Sequence, residues 1–294
     1  MRITEGMLHD RALRDLSTNL DALSRSQEQV STTRRLNRPS DDPAAVRSVV
    51  NLKDGLAEIE QYLRNADAAS RGLSAADTAL GSAGDDMQRV RELALQAANG
   101  TLTASDRATI ADEVEQLTAH LAQLAGTKVG DAYIFSGFRT DRAPYTIPAS
   151  GSAAVGGYQG DGGAILGRIA PNVTMPTNIT GDVAFGPAFA ALQQLDTELR
   201  AGTAPSAATM TGLDAGLAAL VAGRATVGAR ANRLEVTQSG LQDSEVATKK
   251  LISDLQDADM TEVISELSQR QTTYQAALQV NGRILQQSLI DVLR

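Results

Sequence analysis

Both ends of this chain carry the period of a helix that must keep one face on another helix. From Met260, the residues Ile264, Leu267, Gln271, Tyr274, Leu278, Asn281, Leu285, Ser288 and Val292 follow at alternating steps of four and three. That is a heptad seam. Near the start, His9, Leu13, Leu16, Leu20, Leu23, Gln27 and Val30 repeat the pattern. Two such seams predict that the termini pair, with the middle of the chain as a long excursion out and back. Polar residues on both seams weaken such a pair and restrict its register and partners. The pair is therefore expected to order fully only against other copies, and to be labile in a free monomer.

The chain has 294 residues, 42% of them apolar but only 3% aromatic, with no Trp. Ala, Leu and Val must carry the burial, which suits long helices packed at close range. A net charge of −8 supplies no positive field for phosphate and argues against nucleic acid as a partner. The absence of Cys excludes disulfides, thiolate ligands and thiol nucleophiles. No apolar run reaches the ~20 residues of a membrane span, so no membrane insertion is expected. Met1 to Gly6 lack the apolar core of a secretory signal, so the chain is either cytoplasmic or exported without a cleaved signal peptide.

The first helix should run from about Thr4 to Arg34 and break at Asn37, Arg38, Pro39, Ser40, Asp41, Asp42 and Pro43. Asp42 suits an N-cap and Pro43 the first helical position. A second seam then passes Val49, Leu52, Leu56, Ile59, Leu63, Ala66, Ser70, Leu73, Asp77, Leu80, Met87, Val90, Ala94 and Ala97. Gly72, Gly81 and Gly84 are expected to kink or interrupt this helix, and Gly100 to end it in a left-handed cap. Thr103 and Asp106 form a capping box for a third helix, with Ile110, Val114, Leu117, Leu121 and Leu124 as its seam. From Tyr133 to Gly186, aromatics, glycines and β-branched clusters predict a small β domain. Helix should resume near Pro187, and a long helix should carry Leu213, Leu217, Leu220, Arg224, Val227, Ala231, Leu234, Leu241, Thr248, Ile252 and Leu255 up to Asp257–Asp259.

The expected fold is mainly α with a small β insertion. Residues 1–42 and 256–294 would form a terminal coiled-coil-like helical rod, 43–132 and 187–255 a central helical bundle, and 133–186 a β-rich outer domain. As a composition-distinct insertion, the β region is expected to be dispensable for the helical core.

Three blocks of residues now carry a resemblance. Gln29 to Ala44 includes Thr33-Arg34-Arg35-Leu36-Asn37-Arg38-Pro39-Ser40-Asp41-Asp42-Pro43. Arg91 to Thr101 is followed by Asp106-Arg107, and Leu278 to Asp291 closes the chain. All three closely resemble the bacterial flagellin family, in the family's order and over both helical arms. Within that family, Gly130-Asp131-Ala132-Tyr133-Ile134-Phe135-Ser136-Gly137, Tyr158-Gln159-Gly160-Asp161 and Val227 to Glu235 are similar to the hook–filament junction members. They are less like the filament flagellins, which are the alternative. At Thr33-Arg34 the family commonly has Gly-Lys, a departure that keeps the positive charge.

The resemblance implies an extracellular structural component of the flagellum. It implies a ring of copies as one partner, with hook-associated protein 1 on the hook side and flagellin on the filament side. It further implies type III export with a flagellar export chaperone on the C-terminal helix. Assembly would run through the terminal seam, at Leu13, Leu16, Leu20, Leu23, Val30, Ile264, Leu267, Tyr274, Leu278, Leu285 and Val292. A cytoplasmic coiled-coil signalling protein is the reading from another class.

Chemistry finds little support. His9 and His120 lie within heptad patterns and read as helix residues rather than bases or ligands. Gly156 to Gly163 lacks the Gly-Lys-Ser/Thr of a phosphate loop and reads as a β turn. Asp41-Asp42 and Asp85-Asp86 are explained by capping and solvated surface. No enzyme activity, cofactor or metal is expected. Asn172-Val173-Thr174 and Asn178-Ile179-Thr180 match the glycosylation sequon, a weak pattern. Arg34, Arg35 and Arg38 would be a solvated edge alone, or partners for acidic residues of a neighbouring copy.

Overall fold

The structure is a computed structural model that describes residues 5–148 and 151–292, the side chains at 5, 6, 8, 9 and 283–292 excepted. In chain order the elements are α1 Glu5–Thr32, α2 Pro43–Ala97, α3 Ala104–Ala125, β1 Lys128–Val129, β2 Ala132–Tyr133, β3 Leu166–Ala170, β4 Val173–Pro176, α4 Gly181–Arg200, α5 Ala207–Gln256 and α6 Met260–Val292. The fold is mainly helical with a small β insertion. The strands form two antiparallel hairpins, β1 with β2 and β3 with β4. The chain divides into two compact units. One holds the residues through Glu58 together with those from Glu245; the other is Ile59–Ser244. These divisions fall inside α2 and α5, whereas composition put them at 42/43 and 255/256. The β strands belong to the same unit as the central helices.

The helix boundaries follow local chemistry. Asp42 caps α2, its Oδ1 accepting from the Ala44 and Ala45 amides at 3.1 and 3.0 Å. Thr103 and Asp106 form the expected capping box of α3. α2 runs unbroken through Gly72, Gly81 and Gly84, because fifty-odd residues of side packing outweigh three weak propensities. Gly100 is not the expected left-handed cap: the left-handed glycines described are Gly130, Gly137, Gly151 and Gly202. α4 starts at Gly181, with Pro187 inside it. A proline within the early part of a helix removes only one hydrogen bond, the one that would reach Val183, and Val183 is solvent-exposed.

In the second unit, α2 buries Tyr62, Ala66, Ala69, Leu73, Ala76, Leu80, Ala83, Met87, Val90, Ala94 and Ala97, an unbroken alternation of four and three. Leu63, Ser70 and Asp77, expected on this seam, lie on its flank. Likewise α5 buries Gly216 and Gly223 where Leu217 and Arg224 were expected. The reason is distance. A Cβ at Gly216 would sit 2.7 Å from the Cα of Ala188, so α4 and α5 touch nearly backbone to backbone there. Alanine and glycine let the helices approach; the larger neighbour is left outside. Polar pairs flank the α2–α5 contact: Arg91 with Asp214 at 2.7 Å, Arg224 with Asp77 at 3.0 Å, and Gln238 with Asp67 at 2.8 Å.

The β segment is locked to α4 by aromatics. Phe135 packs edge-on to Phe185 at 5.0 Å between centroids, and Tyr145 packs on Phe189 at 4.5 Å. Ile169 and Met175, from β3 and β4, are buried in the same core. The segment's side chains complete the core that α4 closes. The glycine-rich stretch is irregular chain held in place by Asp161. Asp161 Oδ1 accepts from the Phe138 and Gly163 amides at 2.7 and 2.9 Å. Gly137, at φ +69°, passes so close that a Cβ would lie 2.2 Å from the Asp161 carbonyl oxygen.

Candidate assembly site

α1 lies along α6, as the terminal seams predict. Which residues meet is another matter. On α1 the inward positions are Ala12, Leu16, Asn19, Leu23, Ser26 and Val30; on α6 they are Val263, Leu267, Arg270, Tyr274, Ala277 and Asn281. Both sets alternate four and three. Of the expected seam, Leu16, Leu23, Val30, Leu267 and Tyr274 do turn inward. Leu13, Leu20, Ile264 and Leu278 do not: they are 51, 48, 53 and 44% exposed. Each exposed residue sits immediately after a position that faces the partner helix, so the intramolecular seam runs one residue earlier. Ser26 is 1% exposed and Leu23 8%. Small residues at Ala12, Ser26 and Ala277 allow close approach, as they do along α2. The side chains of His9, Leu285 and Val292 lie outside the described residues.

The terminal pair thus carries two overlapping apolar stripes per helix. One is satisfied within the chain. The other presents large aliphatic side chains to solvent at heptad spacing, at Leu13 and Leu20 and at Ile264 and Leu278, with Met7 and Val280 also exposed. Scattered exposed leucines need no explanation, but a periodic row on two adjacent helices is the form of an unfilled helix-packing surface.

The turn after α1 holds this pair to the α5–α6 junction. The Arg35 amide donates to the Gln256 carbonyl at 2.8 Å and the Ala258 amide to the Thr33 carbonyl at 3.0 Å, around a β-bridge between Arg34 and Asp257. The Arg35 guanidinium adds a bond to the Leu255 carbonyl at 2.9 Å. Asp41 Oδ2 accepts from the Asn37 and Arg38 amides at 3.1 and 2.8 Å, and the Asp41 amide donates to the Arg38 carbonyl at 3.0 Å. Asn37 Nδ2 reaches the Arg34 carbonyl, and Arg38 pairs with Glu28 at 2.9 Å. Pro39, Ser40 and Pro43 shape the turn without side-chain bonds. Asn37 to Pro43 therefore act as a geometric connector. Thr33 sits at φ +58°, a left-handed conformation in which a β-branched residue is strained. A polar groove of about 700 Å³ runs between α1, this turn and α6, past Arg25, Gln29, Arg35, Glu266 and Arg270.

His120 Nδ1 lies 2.6 Å from Asp86 Oδ2 on an exposed flank of α3, a surface pair. Among the described residues no cluster of His, Asp and Glu could hold a metal ion, and no helix is long and apolar enough to cross a membrane.

Residues 3–140 match the model of the bacterial flagellin N-terminal helical region, and residues 210–293 that of the flagellin C-terminal helical region. The flagellar hook-associated protein 3 of Escherichia coli (strain K12) is 29% identical over 94% of this chain and 95% of its own. Among solved structures, a flagellar hook-associated protein from Vibrio parahaemolyticus aligns with TM-score 0.63 at 24% identity, covering 74% of this chain and 100% of that one. The flagellar junction protein from Legionella pneumophila aligns with TM-score 0.58 at 18% identity, over 71% and 100% of the two chains.

Proposed function

This chain belongs to the bacterial flagellin family, and from that premise we propose that it is the structural subunit that joins the flagellar hook to the filament. Copies would associate in a ring, meeting hook-associated protein 1 on one side and flagellin on the other. The subunit would reach the extracellular flagellum by the type III export route, without a cleaved signal peptide, and with a chaperone covering its C-terminal helix beforehand. The 29% identity to a hook-associated protein 3, against 24% to a Listeria innocua flagellin matched over a similar length, supports this reading over a filament flagellin.

The observation that carries the proposal is the outward stripe of Leu13, Leu20, Ile264 and Leu278 on the paired terminal helices. The stripe is left over after α1 and α6 have packed, so neighbouring copies can bury it without breaking the monomer. Arg34 and Arg35, exposed beside the connector, would pair with acids of an adjacent subunit.

The test is a strain whose only copy carries Leu278→Asp. A charge buried in an interface without a partner costs several kcal/mol. Hooks should then lack filaments and flagellin should appear in the medium, while Gln279→Asp leaves motility intact. Normal filaments with Leu278→Asp at normal secreted levels would overturn the assignment.

A further inference from the structure

Asn99-Gly100 forms the exposed turn between α2 and α3. The Asn99 Oδ1 accepts two hydrogen bonds from Thr101, from its amide at 3.2 Å and its hydroxyl at 3.1 Å. This folds the Asn99 side chain back over the backbone of the residue that follows it. The Gly100 amide makes no hydrogen bond, while its neighbours Ala98 and Asn99 donate to Ala94 and Gln96. Gly100 has no side chain to obstruct an approach, and the space around it is open.

We propose that this turn is a self-modification site at which Asn99 deamidates through a cyclic imide. The Gly100 nitrogen gives its proton to hydroxide and attacks Asn99 Cγ, forming a new C–N bond. The two Thr101 donors stabilise the negative charge that develops on Oδ1, as preorganised donors do in acyl transfer. Water returns a proton to Nδ2, the Cγ–Nδ2 bond breaks, and ammonia leaves a five-membered succinimide with hydroxide regenerated. Water opens the ring at either carbonyl, giving aspartate or isoaspartate at position 99. No oxidant, metal or cofactor takes part. The same dipeptide occurs at Asn281-Gly282, but there it lies inside α6, where the Gly282 amide is committed to the helix. The fold therefore distinguishes two identical dipeptides by the freedom of one N–H. The product places a carboxylate beside Arg107, which already donates to the Asn99 and Ala97 carbonyls at 3.3 and 3.2 Å.

The experiment incubates the purified full-length chain at mildly alkaline and mildly acidic pH and follows peptides by mass. Isoaspartyl methyltransferase labelling marks the isoaspartate product, and circular dichroism verifies that the helices persist. A short synthetic peptide spanning Gln96 to Leu102 is run beside it. The folded chain should modify Asn99 at least as fast as the peptide, faster at alkaline pH, and ahead of Asn281. Gly100→Ala should slow the reaction several-fold, and Thr101→Val should slow it in the protein. A folded chain slower than the peptide, modification of Asn281 instead, or no effect of Gly100→Ala would overturn the proposal.

Discussion

Asn281 Nδ2 reaches across the terminal pair to the Ala12 carbonyl at 3.4 Å, so an asparagine and an alanine, not two leucines, separate α1 from α6 at that level. The bond is long, and its worth is small. Its position matters more, because it fixes which stripe is spent inside the chain and which is left outside.

That division predicts opposite behaviour for two leucines of α1 and α6. Leu23→Asp puts a carboxylate into a position only 8% exposed and should destabilise the terminal unit by several kcal/mol in the monomer. Leu278→Asp, on the outward stripe, should change monomer stability by no more than about 0.5 kcal/mol. Chemical denaturation of the two variants, followed by circular dichroism, checks the contrast. Equal destabilisation would mean that Leu278 is packed within the chain.

Thr33→Gly should stabilise the monomer by about 1 kcal/mol, because it removes the strain of a β-branched residue at φ +58° but adds freedom to the unfolded chain. Thr33→Pro, which cannot adopt that φ, should destabilise. A midpoint shift in urea with unchanged slope is the measurement.

The Phe138 amide, and next the Gly163 amide, hold the Asp161 carboxyl below the usual carboxylate range. A depressed folded-state value means the bound, ionised form stabilises the fold above the unfolded-state value near ~4. That stabilisation is lost as pH falls through the depressed value. Asp161→Asn should flatten this acid limb of the stability profile, measured by thermal melts across a pH series.

Phe135→Ala should cost about 3–5 kcal/mol, since it empties a fully buried aromatic site between the β segment and α4. Replacing residues 143–182 with a Gly/Ser linker should be worse. It removes Tyr145, Ile169 and Met175 together and should weaken the cooperative melt of the central helices. An unchanged melting temperature would restore the idea of a separable insertion.

Limited proteolysis of the monomer should release roughly the first and last 35 residues before the central unit is cut. The terminal unit rests on a seam with Asn19, Ser26, Arg270 and Asn281 on it, whereas the central unit rests on Leu73, Leu80, Phe185 and Leu195. Equal resistance throughout would contradict this ordering.

Much of the architecture was legible in the residues. Asp42, the Thr103–Asp106 box and the Asp257–Asp259 break set helix ends by short-range chemistry, which a sequence displays directly. The seams were legible in period but not in phase. Heptad reading favours large aliphatic side chains, so it chose Leu13, Leu20, Ile264 and Leu278. Packing chose Ala12, Asn19, Val263 and Ala277, because helices at close range need small residues on one side of the contact. Nothing in a single sequence shows how near a partner helix comes. Pro187 misled for a related reason: as a breaker it reads as a helix start, yet the aromatic core draws the preceding turn into α4. Apart from the Arg35 guanidinium on the Leu255 carbonyl, the stitching of Thr33 and Arg35 to the α5–α6 junction is a backbone event between residues over two hundred positions apart, which no side chain announces.

The bond between Ala12 and Asn281 spans 269 positions of sequence. Contacts of that separation pay their chain-closure entropy before they return anything, so they form late. A polypeptide that emerges from a narrow conduit, in either direction, can complete its central helices while one end is still inside. Its terminal pair has to wait for the last residues. If the subunit is exported as proposed, the pair that would meet other copies is thus the last part of the molecule to form.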